Sequence, residues 1–159
     1  MDGHTHTELC PHGSGEATDK MVQRAIQLGM QRYCITEHAP LPPAFRNQYE
    51  GTLAGYTEAS LRLDQVDDYL ALANELKVKH AGQIEISVGF EVDFLPDHVA
   101  WTRDFLNTYG PQTQESILSV HFMRGRHDHF WPVDLSTDDF SAGFVQWLST
   151  PQQVFEHYY

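Results

Sequence analysis

Three histidines fall within the first twelve residues: His4, His6 and His12. His4 and His6 stand two apart, and in an extended strand that spacing turns both rings to one face. Thr5 between them is β-branched and suits a strand. Pro11 favours a turn that brings His12 back towards the pair. Neutral imidazole is the commonest protein ligand for zinc and related metals. A His-x-His at a strand end therefore begins a metal site, and distant ligands must complete it. The candidates are His38, Glu91 and His121, with Glu37 and Asp93 beside two of them.

The elements that must position these residues follow from the pattern of apolar residues. After a Gly-Ser-Gly loop, helical spacing of Met21, Val22, Ala25, Ile26 and Leu28 predicts a helix from Ala17 or Thr18, with Gly29 as its C-cap. Arg32–Thr36 reads as a short buried strand with Glu37 and His38 at its end. Residues 41–55 hold several prolines and glycines without a period, so a long loop is expected. Tyr56–His80 is predicted as one long helix with Val66, Tyr69, Leu70, Ala73 and Leu76 buried. Asp64, Asp67 and Asp68 read as its solvated face. Ile84, Ile86 and Val88 alternate as a third strand, with Gly89 allowing a close backbone approach and Glu91 and Asp93 beyond the strand end. Pro96 opens a helix that turns Trp101, Phe105 and Leu106 inward and stops at Gly110-Pro111. Ile117–Phe122 is a fourth strand with His121 near its end. A hairpin follows around residues 125–128, returning at Phe130–Val133. Residues 134–150 read as irregular with some helix, and a last helix follows Pro151. Strands alternating with helices indicate a parallel sheet.

Four successive predicted strands thus end in His4 and His6, Glu37-His38, Glu91, and His121. In a parallel β/α barrel all such ends open on one face, where active sites lie. One histidine at a strand end is usually a hydrogen-bonded core or surface residue. Four consecutive ends make convergence the stronger reading. These ligands exceed what one four-coordinate ion needs, so the pattern implies a multinuclear site with Glu91 bridging two ions. Adjacent metals suit phosphoryl transfer. Glu37 reads as an orienter of a histidine, against the alternatives of a ligand or an ordinary loop acid. Asp93 stands between a site role and solvent. Cys10, inside the histidine cluster, is a soft ligand or a simply buried thiol; Cys34 is core. His80, His98 and His157 are read as lying outside the site, the first two on the surface. His127-Asp128-His129 is read as a solvated hairpin tip, not a site.

Composition narrows the partners. The 159 residues carry 10 Lys+Arg against 22 Asp+Glu, a formal charge of −12. Such a surface repels nucleic acid phosphates. Two cysteines make a disulfide framework unexpected. No apolar run reaches transmembrane length and the first residues form no signal peptide, so a cytoplasmic protein without membrane contact is expected. Oligomeric state is not legible.

His4-Thr5-His6 with Cys10-Pro11-His12, then Thr36-Glu37-His38-Ala39-Pro40, Gly89-Phe90-Glu91-Val92-Asp93 and Ser119-Val120-His121-Phe122 together resemble the histidinol-phosphatase members of the PHP (polymerase and histidinol phosphatase) superfamily. The stretch from Arg103 to Thr113 resembles the same subgroup. The resemblance implies a distorted (β/α)7 TIM-like barrel and up to three divalent ions (zinc, manganese or iron). His4 and His6 would bind the first ion, Glu91 would bridge the first and second, His121 would bind the second, and His12 and His38 the third. The implied reaction is hydrolysis of L-histidinol phosphate to L-histidinol and phosphate in histidine biosynthesis, with a metal-bridging hydroxide as nucleophile. Family members continue past this point, with a further His, an Asp-x-His pair and phosphate-gripping basic residues. The chain is therefore expected to be the amino-terminal part of one PHP domain, with an open sheet edge where further strands would pair. The rival readings are another PHP phosphoesterase, a metal-dependent amidohydrolase, which Glu37-His38 and Gly89-Phe90-Glu91 fit poorly, and an inactive metal-binding fragment.

Overall fold

The longest strand is Glu85–Asp93, and its alternation organises the molecule. Ile86, Val88, Phe90 and Val92 point into the hydrophobic core under the helices. Ser87, Gly89, Glu91 and Asp93 therefore face the other side. The computed structural model describes the backbone of residues 1–159 and every side chain except that of Pro151. Its elements in chain order are β1 (Asp2–Thr5), α1 (Thr18–Gln27), β2 (Arg32–His38), α2 (Leu53–Thr57), α3 (Val66–Lys79), β3 (Glu85–Asp93), α4 (Val99–Tyr109), β4 (Ile117–Ser119), β5 (Phe122–Arg124), β6 (Phe130–Pro132), α5 (Thr137–Gly143) and α6 (Pro151–Tyr158).

Among the described residues, β1 to β4 form one parallel sheet in sequence order. This is the arrangement the alternation of strands and helices predicts, and it makes a curled part of a TIM-like barrel. All its strand ends open on the same face. Val22 and Ala25 of α1, Val66, Tyr69, Leu70, Ala73 and Leu76 of α3, and Phe105 of α4 bury against the sheet. The five α3 positions are those its sequence period assigns to the core. Tyr69 adds a polar tie: its hydroxyl reaches the carbonyls of Ile35 (3.0 Å) and Gly89, linking β2 to β3 beneath the site. The β1–α1 connection is pinned by Glu8, whose carboxylate accepts from the Thr18 backbone N–H (2.7 Å) at the start of α1. That caps a helix whose own N-cap residue, Ala17, offers no side-chain acceptor. Gly29 ends α1 at φ +74, the left-handed position that favours glycine.

Several expectations are corrected. The loop over residues 41–55 contains a 3-10 segment, Pro43–Gln48, and the start of α2, capped by the Thr52 hydroxyl. The single helix expected over 56–80 is two, because the chain between them bonds to the site end of β2. Leu61 N–H donates to the His38 carbonyl (3.3 Å) and Leu41 N–H to the Ser60 hydroxyl (3.3 Å). Glu91 and Asp93 lie inside β3, since β4 pairs with it at Glu91, Val92 and Asp93. The fourth strand stops at Ser119. Asp93 accepts from the His121 N–H (3.1 Å), drawing the chain out of the parallel sheet. Phe122–Arg124 then pairs antiparallel with Phe130–Pro132 in a separate hairpin. His80 and His98 are buried rather than on the surface, because each finds a partner remote in sequence. His80 bonds Asp19 (2.7 Å) and His98 bonds Gln48 (2.9 Å). No helix among the described residues is long and apolar enough to cross a membrane.

Candidate metal centre

Glu91, near the end of β3, is 2% exposed, and four imidazoles surround its carboxylate. On one oxygen converge His4 Nε2 at 2.7 Å, His6 Nε2 at 3.4 Å and His38 Nδ1 at 3.4 Å. On the other, His121 Nε2 lies at 3.2 Å and the Ser119 hydroxyl donates at 2.6 Å. The His6 and His38 rings stack at 4.4 Å, and the His12 ring lies 4.9 Å from His38. Three trios have donor atoms within 4.8 Å of one another: His4–His6–Glu91, His38–Glu91–His121 and His6–Cys10–His38.

Outer acceptors fix which nitrogen of His6, His12 and His121 faces the cluster. Glu37, fully buried, accepts from Thr7 N–H (2.8 Å), the Thr7 hydroxyl (2.7 Å) and His38 N–H (3.0 Å), and meets His6 Nδ1 at 3.1 Å. A carboxylate there makes His6 Nδ1 the donor and leaves the Nε2 lone pair free. Asp93 holds His121 Nδ1 at 3.0 Å in the same way. The backbone carbonyl of Glu58 holds His12 Nδ1 at 2.6 Å. Orientation of ligand imidazoles by outer acceptors is how metal sites set tautomer and basicity.

The electrostatics are those of a site short of positive charge. Burial works to raise the Glu91 carboxyl, but hydrogen bonds from His121, Ser119 and His4 outweigh it and hold it well below the usual carboxylate range. Burial likewise opposes ionisation of Glu37, and contacts with His6 and Thr7 keep its carboxyl low. Burial alone would lower His121; the Asp93 and Glu91 carboxylates more than offset it, and its pKa is pushed up to about 10. His38 goes the other way, down to about 4, from burial and then from the neighbouring His6 imidazole. Its Nδ1 is buried without a hydrogen-bond partner. Such an orphan is rare in a folded interior. A nitrogen lone pair without a donor, beside an ionised carboxylate and further imidazoles, is a donor set that fits a divalent cation.

Of the residues singled out from the sequence, His4, His6, His38, Glu91 and His121 come together around one carboxylate. His12 adjoins them but belongs to none of the three trios. Cys10 is buried, its thiol pushed up to about 11 by burial and then by the nearby Glu37 charge. His127 and His129 sit apart with Arg46, Tyr49 and Glu50, His127 Nδ1 lying 2.8 Å from Glu50. Sequence reasoning missed Ser119 and Thr7. Ser119 lies two residues before His121, which marks it for the same strand face. Nothing in the sequence marks Thr7, whose role depends on Glu37 thirty residues away. The cleft above the cluster measures about 400 Å³ and is walled by Phe122, Pro132 and Leu135, with Glu58 and Asp134 among its lining residues.

The PHP domain model matches residues 2–158. The chain is 34% identical to the histidinol-phosphatase of Bacillus subtilis, over 99% of this chain and 56% of that protein. It is 27% identical to a probable histidinol-phosphatase of Schizosaccharomyces pombe, over 100% and 49%. The crystal structure of Listeria monocytogenes hisK, designated a candidate histidinol phosphatase, superposes with a TM-score of 0.94 at 41% identity, covering 98% of this chain and 57% of that one. The chain spans about half the length of the curated relatives it matches. The order of the strands, the residues at their ends and the match across nearly every position agree: this chain belongs to the PHP domain family.

Proposed function

We propose that the cluster around Glu91 binds divalent metal ions and that the chain carries part of the site of a phosphomonoesterase acting on L-histidinol phosphate. The observation that carries this reading is the buried, ionised Glu91 with four imidazole nitrogens at 2.7–3.4 Å. The names of the relatives support the substrate. His4, His6 and Glu91 would hold one ion, and Glu91 and His121 a second. His12 and His38 would serve a third, with zinc, manganese or iron compatible with this donor set. What such ions supply when bound is a more acidic water and neutralisation of phosphoryl charge. Glu37, Asp93 and the Glu58 carbonyl keep the imidazoles turned inward. Phe122, Pro132 and Leu135 give the cleft an apolar wall. Overall, water adds to phosphorus, the ester P–O bond breaks, and the alcohol leaves with a proton. A cytoplasmic setting goes with two free, buried cysteines.

Phosphate release from L-histidinol phosphate by the purified chain, with manganese or zinc added, tests the reading. Metal-dependent turnover is expected. Stoichiometric metal binding without any release would leave only a metal-binding unit. Glu37→Gln tests the orienting role. The amide turns a donor towards groups that already donate, so metal affinity measured by competition with a chelator should fall about 10–100-fold, while the fold persists. Unchanged affinity would show that His6 needs no such support.

A further inference from the structure

Of the buried residues of α3, Val66, Tyr69, Leu70, Ala73 and Leu76, only Tyr69 brings a polar side-chain atom to the sheet. Its hydroxyl meets three backbone groups: the Ile35 carbonyl (3.0 Å), the Gly89 carbonyl and the Glu37 N–H (3.4 Å). A phenol has one hydrogen to share between the two carbonyls and a lone pair to accept the N–H. Burial pushes its pKa up, so the hydroxyl keeps that hydrogen at neutral pH. Filling the space under the sheet needs only the ring, which phenylalanine would supply. Pairing of the strands does not need the hydroxyl either, because the β2–β3 ladder runs from Arg32–Glu85 to His38–Glu91. The place of the hydroxyl is what sets it apart. It stands at the Thr36–Gly89 step, one residue before Glu37 and two before Glu91. Glu37 holds His6, and Glu91 is the acid the imidazoles share. On the sheet face away from α3, the Glu115 carbonyl lies against the same Gly89. Glu115 leads into β4, which carries Ser119 to Glu91. The Gly89 peptide is thus held by a side chain from α3 on one side and by the approach to β4 on the other.

Resting on the metal-centre reading above, we infer that Tyr69 is a positioning residue for that centre: its hydroxyl fixes the spacing of β2 and β3 where Glu37 and Glu91 leave them. It touches no ligand atom. It acts through the backbone of Glu37, which turns His6 inward, and through Gly89, which sets where Glu91 meets the imidazoles. Without the hydroxyl the strands stay paired, but the carboxylates at their ends lose the tie that holds their separation, and ligand geometry loosens by amounts that metal binding feels.

Tyr69→Phe removes one oxygen and keeps the ring. Zinc affinity of the 159-residue protein, measured by competition with a chelator, should fall about tenfold, the lower end of what loss of an outer partner costs a metal site. The thermal midpoint measured with and without a fixed excess of zinc gives a second readout: the rise that zinc produces should be smaller in Tyr69→Phe than in the wild type. Leu76→Ala, at the other end of the same buried stripe, controls for stability alone. It should lower the metal-free midpoint and leave zinc affinity within about twofold, since it shares no partner with the site. A Tyr69→Phe chain that loses metal-free stability but binds zinc like the wild type overturns the inference, and so does a Leu76→Ala chain that loses zinc affinity equally. Failure of the wild type itself to bind zinc would sink the metal-centre reading and this inference together, whereas unchanged binding in Tyr69→Phe leaves that reading standing.

Discussion

Glu91→Gln is expected to abolish turnover, by about a thousandfold or more, and to strip the chain of bound metal as measured by plasma mass spectrometry. The substitution barely changes shape. It removes the one negative charge that four imidazoles and Ser119 share. It also replaces one carboxylate oxygen with an amide N–H₂, which offers a cation no ligand lone pair. The metal-free protein supplies a second readout. His121 has a raised pKa in the folded state, from an ordinary 6.5 to about 10, so its pairing adds stability that is fully present below pH 6.5 and lost as pH rises through about 10. Glu91 supplies part of that rise, so the variant's alkaline loss of thermal midpoint should begin at lower pH than the wild type's. Full activity in Glu91→Gln would place the chemistry elsewhere.

Gly89→Ala should be the most damaging single methyl in the molecule. A Cβ at Gly89 would stand 1.3 Å from the Glu115 carbonyl oxygen and 2.4 Å from its carbon, both backbone atoms that cannot swing aside. The chain there is tied to β3 by Gln114 N–H donating to the Val88 carbonyl (2.8 Å). Admitting the methyl means moving the approach to β4, which carries Ser119 and delivers His121 to Glu91. A loss of about 3 kcal/mol or more is expected, read as a thermal midpoint lower by about 6–12 °C for a chain of this size. Gly29→Ala is the contrast: Gly29 has φ +74 but nothing within 4 Å of a Cβ, so only the left-handed backbone penalty of about 1–2 kcal/mol applies. If the two variants lose equal stability, the close approach of Gly89 to Glu115 is not what holds β3 and β4 together.

The parts of this molecule legible in its sequence are those where a local pattern and a long-range contact agree. The α3 stripe from Val66 to Leu76 reads as core because its period alone fixes which face is apolar. The convergence of His4, His6, His38, Glu91 and His121 reads because parallel strands must end on one side. What escapes is what a distant partner decides. Nothing near Thr57 announces that the chain leaves the helix, because the break depends on Leu61 and Ser60 bonding back to His38 and Leu41. Nothing in Ile117–Phe122 shows that Asp93 will capture the His121 N–H and turn a six-residue strand into two. His80 and His98 read as surface residues because Asp19 and Gln48, which satisfy them inside, lie 61 and 50 positions away. Glu37 and Asp93 are intermediate: their place beside strand ends marks them, but only the fold assigns Glu37 to His6 and Asp93 to His121.

The claim beneath all of this is that the imidazoles of three strand ends share cations with the buried acid at a fourth. Anomalous diffraction from crystals grown with zinc, collected on both sides of the metal edge, measures that directly. The account predicts peaks flanking the Glu91 carboxylate, one among His4, His6 and Glu91 and another between Glu91 and His121. Zinc found only at the Glu50–His127–His129 hairpin, or nowhere near Glu91, would contradict it.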